Sequence, residues 1–208
     1  GLKFEDEALE LFVQRVGEET RQIGNELEKL MLYVGADKVV DVEAVRLMVP
    51  ATRKGVVFEI GRALEQRDAG RVIKLMDALL MKNEAPIAIM RASIISTVRN
   101  LFLVRVLLEA YPKLPAANRG AFAKAVERLP EADLAWLPQK KAGGVNVWGL
   151  AFALEKARNF SMAELREAMD RCAWADKALV TTQLDGRFVL HRLVAGICAG
   201  GGRKRKAG

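Results

Sequence analysis

Apolar residues recur at three- and four-residue spacing along almost the whole chain, and no stretch alternates apolar with polar over a strand's length. Side chains three and four apart share one face of an α-helix, whereas a half-buried strand needs a period of two, so the pattern specifies an all-α fold. The first helix carries Leu9, Phe12, Val13 and Val16 on one face and stops near Gly17. The second carries Ile23, Leu27, Leu30, Met31 and Val34 and stops near Gly35. Glycine takes the left-handed conformation that commonly closes a helix. Asp41 supplies an N-cap carboxylate for a third, short helix that ends before Pro50. Three such helices can share one small core, and residues 1–52 are expected to form it.

Residues 51–54 make a polar joint, after which a larger helical bundle is expected over 55–199. Val56 to Gln66 is assigned as helix, although Val-Val-Phe-Glu-Ile alone would also suit a strand. From Asp68, Val72, Leu75, Met76, Leu79 and Leu80 fall at core-facing helical spacing. Pro86 suits the first turn of a long helix reaching about Tyr111. Further helices are expected around Phe122 to Leu129, from Asn146 to Arg158, after Ser161 and from Gly186 to Ala199. Ser161 and Glu164 have the spacing of a capping box, in which each side chain satisfies a free N–H group at the helix start. Leu165, Met169, Cys172 and Ala173 are expected to face inward from the helix that follows. Residues 200–208 read as a disordered basic tail holding Arg203-Lys204-Arg205-Lys206.

The two parts differ in charge. Residues 1–50 hold 6 Lys and Arg against 11 Asp and Glu, a net of −5; residues 51–208 hold 27 against 15, a net of +12. The second part therefore suits nucleic acid or acidic partners. Carboxylate pairs such as Glu18-Glu19 and Glu26/Glu28 read as solvated helix faces. Ile87 to Leu108 is apolar but interrupted by Arg91, Arg99 and Arg105, so no uninterrupted run reaches the roughly 18 residues of a membrane span. No membrane partner and a cytoplasmic setting are the expectation. The first residue is Gly rather than Met, which suggests a fragment.

The residues that would carry catalysis are missing from the sequence. It has no Gly-x-x-x-x-Gly-Lys-Ser/Thr loop to cradle phosphates with backbone N–H groups, and no Gly-x-Ser-x-Gly elbow. Two cysteines and one histidine fall short of the roughly four ligands a structural zinc site takes. No cofactor and no metal are expected. Cys172 and Cys198 read as buried thiols, and His191 as a structural or surface histidine. Asp176 turns towards an apolar stripe and must be paired or hydrogen-bonded. Arg91, Arg99 and Arg105 on the long helix are candidate contacts to DNA phosphates or to a neighbouring subunit, because phosphate contacts need only positive donors. On a straight helix Arg91 and Arg99 lie about 80° apart, with Arg105 further round.

Thr20 to Gly35 reads Thr-Arg-Gln-Ile-Gly-Asn-Glu-Leu-Glu-Lys-Leu-Met-Leu-Tyr-Val-Gly. It resembles the most recognisable segment of the delta subunit of bacterial DNA polymerase III, the clamp loader. Later pieces come in that family's order: Val57-Phe58-Glu59-Ile60, the Leu79-Leu80 helix, Glu84-Ala-Pro86, Val98-Arg99-Asn-Leu-Phe, and Ala157-Arg-Asn-Phe160-Ser161 before Ala175-Asp176-Lys177. The resemblance implies a partial AAA+-type lid over 1–52 and a collar over 55–199. The collar would assemble with other loader subunits of the gamma/tau and delta-prime types, with primed DNA as a further partner. The sliding clamp would be met by an N-terminal domain that these residues do not include. Whole members of the family are classed as subunits of a DNA-directed DNA polymerase, a nucleotidyltransferase, while this part would be a non-catalytic scaffold. Two other readings stay open: the same region of a paralogous loader subunit, and a stand-alone helical nucleic-acid-binding module.

Overall fold

The computed structural model describes residues 2–16, 20–35, 39–50, 52–140 and 143–200. It is 74% helical and 3% strand, as the all-α pattern requires. The chain divides into two compact units, Gly1–Glu59 and Ile60–Gly208.

In the first unit, α1 (Asp6–Val16), α2 (Thr20–Val34) and α3 (Val42–Met48) surround a core of Ala8, Leu11, Phe12, Leu30, Val40 and Val45. Asp41 caps α3 by accepting from the Ala44 amide at 2.7 Å, and Gly35 closes α2 with φ +55°. The Gly17 stop lies outside the described residues. Two details depart from the pattern. A parallel pair joins β1 (Lys3–Phe4) to β2 (Val39–Val40), and strands of two residues are too short to display a period. The inward face of α1 is also turned: Ala8 and Leu11 are buried, while Leu9 and Val13 are 47% and 56% exposed. The main neighbour of α1 is α3.

Helix α4 (Arg53–Glu65) begins in the first unit and continues into the second. Residues 53 and 54 form its first turn, and Thr52 Oγ1 accepts from the Gly55 amide at 3.1 Å. Val-Val-Phe-Glu-Ile is thus helical. The second unit continues with α5 (Ala69–Leu80), α6 (Pro86–Ile89), a π-helical turn over Met90–Ile95, and α7 (Ser96–Ala110). Then come α8 (Arg119–Val126), α9 (Glu131–Leu134), α10 (Val147–Ala157), α11 (Met162–Thr181) and α12 (Gly186–Cys198). Short polar side chains cap most of these starts: Asp68, Asn118, Asn146 and Asp185 each accept from an amide three residues on. Ser161 and Glu164 form the expected reciprocal box.

One cluster of this unit centres on fully buried Phe122, with Leu101, Leu107, Leu150 and Leu165 around it. Val72, Met76 and Leu79 of α5, Val189, Leu190 and Leu193 of α12, and Leu165, Ala168 and Cys172 of α11 are also buried. On α11, Met169 is only half-buried and Ala173 is exposed, because the buried stripe runs through Ala168 and Ala175 instead. Pro86–Ala110 forms 25 continuous helical residues, long and apolar enough by composition to cross a membrane. Its Ile89, Met90, Ile94, Val98, Leu101 and Leu107 are buried in the unit. Burial pushes the Cys172 thiol up to about 12 and Cys198 up to about 11, and both are free. Apart from Gly200, the basic tail lies outside the described residues.

Candidate interaction surface

Of the four residues singled out in the sequence, the structure brings two together. Arg91 stands exposed on the π-helical turn, and its Nε and Nη2 donate to Asp176 Oδ1 and Oδ2 at 2.7 and 3.0 Å. Those hydrogen bonds hold the Asp176 carboxyl below its ordinary range. Asp176 therefore has the partner that its half-buried position demands, and the pair ties α11 to the turn before α7. The wider π turn also breaks the even 100° step assumed in placing Arg91 relative to Arg99.

Arg99 and Arg105 lie along α7 and join neither each other nor that pair. Arg99 is exposed, with no ion pair or side-chain hydrogen bond among the described residues. Arg105 is half-buried, with Nη2 3.6 Å from Glu109 Oε1 one turn on and its Nε buried without a hydrogen-bond partner. Six residues of regular helix set the two about 120° apart. They do not form a single stripe.

Several charged groups that the sequence reading missed hold the second unit together. Asp77 receives Arg187 Nε and Nη2 at 3.0 and 2.7 Å, and its Oδ1 lies 2.9 Å from His191 Nε2. Burial would raise the Asp77 pKa, but the hydrogen bonds from Arg187 and His191 outweigh it and hold it down. His191 is structural in this sense, joining α12 to α5. Arg67, at φ +57°, follows α4 and reaches Glu164 Oε1 at 2.9 Å, the Asn159 carbonyl at 3.1 Å and the Ile197 carbonyl at 3.3 Å. Its guanidinium also lies 3.9 Å from the Phe160 ring centroid. Partners 92 to 130 residues away leave no local trace in sequence.

In the first unit, Arg15 fills a comparable role. It pairs with buried Glu59 at 3.0 Å and donates to the Arg46 and Val49 carbonyls at the end of α3, at 2.9 and 2.8 Å. Glu26, read as part of a solvated face, is buried and lies 2.5 Å from Lys29 Nζ. The same helix α2 leaves Leu32 82% and Tyr33 50% exposed, so the segment from Thr20 to Gly35 carries both core and surface. Beside it, Phe4, Leu9, Val13, Ile23, Leu27 and Met31 line an open apolar groove of about 560 Å³.

No family model matches the chain, and no curated protein matches it. Among solved structures, the Bacillus subtilis DNA clamp loader delta protein is similar, with a TM-score of 0.60 over 95% of this chain. The chain shares the fold of that delta protein. Identity between the two is 20%, and the match covers 52% of the other chain, so the present chain spans about half of its length. The delta-like fold is thus reached through side chains that mostly differ.

Proposed function

We propose that the chain is the lid and collar part of a clamp-loader delta subunit, a non-catalytic scaffold in bacterial DNA replication. The observation that carries this reading is the fold likeness to a clamp loader delta protein across 95% of the chain. The motif from Thr20 to Gly35 supports it independently of the fold. Residues 1–52 are then the lid of an AAA+-type subunit, and residues 55–199 the collar that assembles with gamma/tau and delta-prime subunits. ATP hydrolysis belongs to those sister subunits, and the sliding clamp to the rest of the delta chain.

Arg99 is the side chain best disposed to reach a neighbouring subunit, being exposed and unpaired among the described residues. Arg105, half-buried beside Glu109, is the second. A rim-exposed pair contributes under about 1 kcal/mol, whereas truncating one partner of a buried interfacial pair costs about 2–5. Reconstitution of the loader with Arg99→Ala and Arg105→Ala tests the assignment, after thermal unfolding shows each variant folded like the parent. Weakened assembly is expected, most for the residue buried in the joint. Parent-like assembly of both variants at low and high salt would remove these residues from the interface.

A further inference from the structure

Helix α2 carries a glycine that its own chain does not need. Gly24 stands exposed in the interior of α2, without the left-handed backbone of Gly35, and a Cβ built there meets nothing within 4 Å. Glycine weakens a helix interior relative to alanine, and one use of it is to let another backbone come close. Gly24 also lies on the groove side of its helix. At about 100° per residue it falls about 20° from Met31 and about 40° from Glu28, two residues that line the apolar groove between α1 and α2. Leu9 and Val13 of α1 and Met31 of α2 are each about half exposed there, so the two helices present one unfilled apolar face. Its outer edge is charged. Arg21 and Glu28 are exposed, lie about 20° apart round α2, and make no ion pair or side-chain hydrogen bond among the described residues.

We propose that this face binds a second copy of the chain, with the two α2 helices crossing antiparallel at Gly24. The charges select that partner. Arg21 comes three residues before Gly24 and Glu28 four after it. In an antiparallel pair centred on Gly24, each Arg21 therefore stands beside Glu28 of the second copy, about 1.5 Å apart along the helix axes and on the same flank. One two-fold axis makes both pairs. A partner helix of a single charge would instead leave Arg21 or Glu28 against its like. The absent side chain at Gly24 lets the two axes approach, and Ile23, Leu27 and Met31 then meet Leu9 and Val13 of the second copy in a four-helix arrangement. Helical spacing puts Leu9 and Val13 on the inward face of α1, and the second copy supplies the interior that a single chain does not give them. Asp6, about 20° from Val13 round α1, lies in the first turn of that helix, where free backbone N–H groups offset its charge. The inference rests on α1 and α2 alone, so it can fail while the loader reading stands, and the converse.

The test is sedimentation equilibrium of the full chain, over a concentration series reaching about 100 μM, since a face of this size suits a weak pair. Arg203 to Lys206 are replaced by serine in every protein compared, which removes the pull of those cations on the acidic first unit. The expected result is a concentration-dependent rise towards twice the 22.9 kDa of one chain. Gly24→Gln should keep the fold, because its side chain enters open space, and should lose the dimer. Arg21→Glu and Glu28→Arg should each weaken association about tenfold or more, because either one sets like charges together twice. The double reversal should return to within about twofold of the parent. If thermal unfolding shows that Gly24→Gln does not fold like the parent, the charge series at those exposed positions decides. A chain that stays monomeric throughout the series overturns the proposal. So does a dimer that folded Gly24→Gln leaves intact, or a double reversal no better than the single ones. Capture of this face by a loader subunit, lost on Gly24→Gln while the chain alone is monomeric, overturns it as well.

Discussion

Arg67 concentrates more of the second unit's polar structure than any residue the helical pattern would suggest. Its side chain is 15% exposed and joins Glu164, two backbone carbonyls and the Phe160 ring. Removing it strands those acceptors, and each buried group left without a partner costs about 1–3 kcal/mol. Arg67→Ala should therefore lower unfolding stability by about 2–4 kcal/mol in urea titration. The left-handed backbone at this position is a second cost that Arg67→Gly relieves, so the glycine variant should be no less stable than the alanine one. Glu65 gives a pH signature. Burial raises its pKa to about 7, although Arg62, Lys156 and Arg119 pull the other way. A carboxyl bound more tightly to its proton in the folded state stabilises at low pH, and the contribution is lost as pH climbs from 4.5 to about 7. For a half-buried group this amounts to about 1–2 kcal/mol at pH 8. Glu65→Gln should match the parent near pH 5 and exceed it at pH 8. A destabilised Gln variant at pH 8 would show that the ionised carboxylate is a net stabilising partner of those cations.

Helices were legible where the decisive contacts are local. Asp41, Asp68, Asn146 and the Ser161–Glu164 box cap helices through groups three residues away, and Gly35 ends one through its own φ. Long-range choices were not legible. Which stripe of α1 faces inward depends on how its neighbours pack, and the π turn at Met90–Ile95 shifts Arg91 out of an even helical count. Of the candidate residues, Asp176 was legible as a carboxylate needing a partner, but neither Arg91 as that partner nor Asp77, Arg187 and Arg67 could be read from spacing. Helix crossings carry a further test. A Cβ at Gly61 of α4 would sit 2.6 Å from Thr97 Oγ1 of α7. Alanine ordinarily gains about 1 kcal/mol over glycine inside a helix, but overpacking costs about 1–3. Gly61→Ala should therefore destabilise, and adding Thr97→Ala should restore or exceed parental stability in thermal unfolding. A stabilised Gly61→Ala single variant would mean that α4 and α7 are less closely apposed.

At the scale of the whole molecule, an acidic three-helix unit is followed by a basic helical bundle, and the sum has the fold of a clamp loader delta protein at 20% identity. Such a likeness is maintained by helix order, length and buried stripe, which tolerate many substitutions of similar size. The charge asymmetry favours the two units meeting different surroundings. As a delta-type scaffold, the chain is proposed to assemble with clamp-loader subunits. Sedimentation of the purified chain with gamma/tau and delta-prime subunits, at low salt and at high salt, tests it most directly. A stoichiometric complex is expected, with an affinity that falls only modestly as salt rises. Separate sedimentation of the chain at both salt concentrations, with its only binding to DNA and that lost steeply with salt, would contradict it.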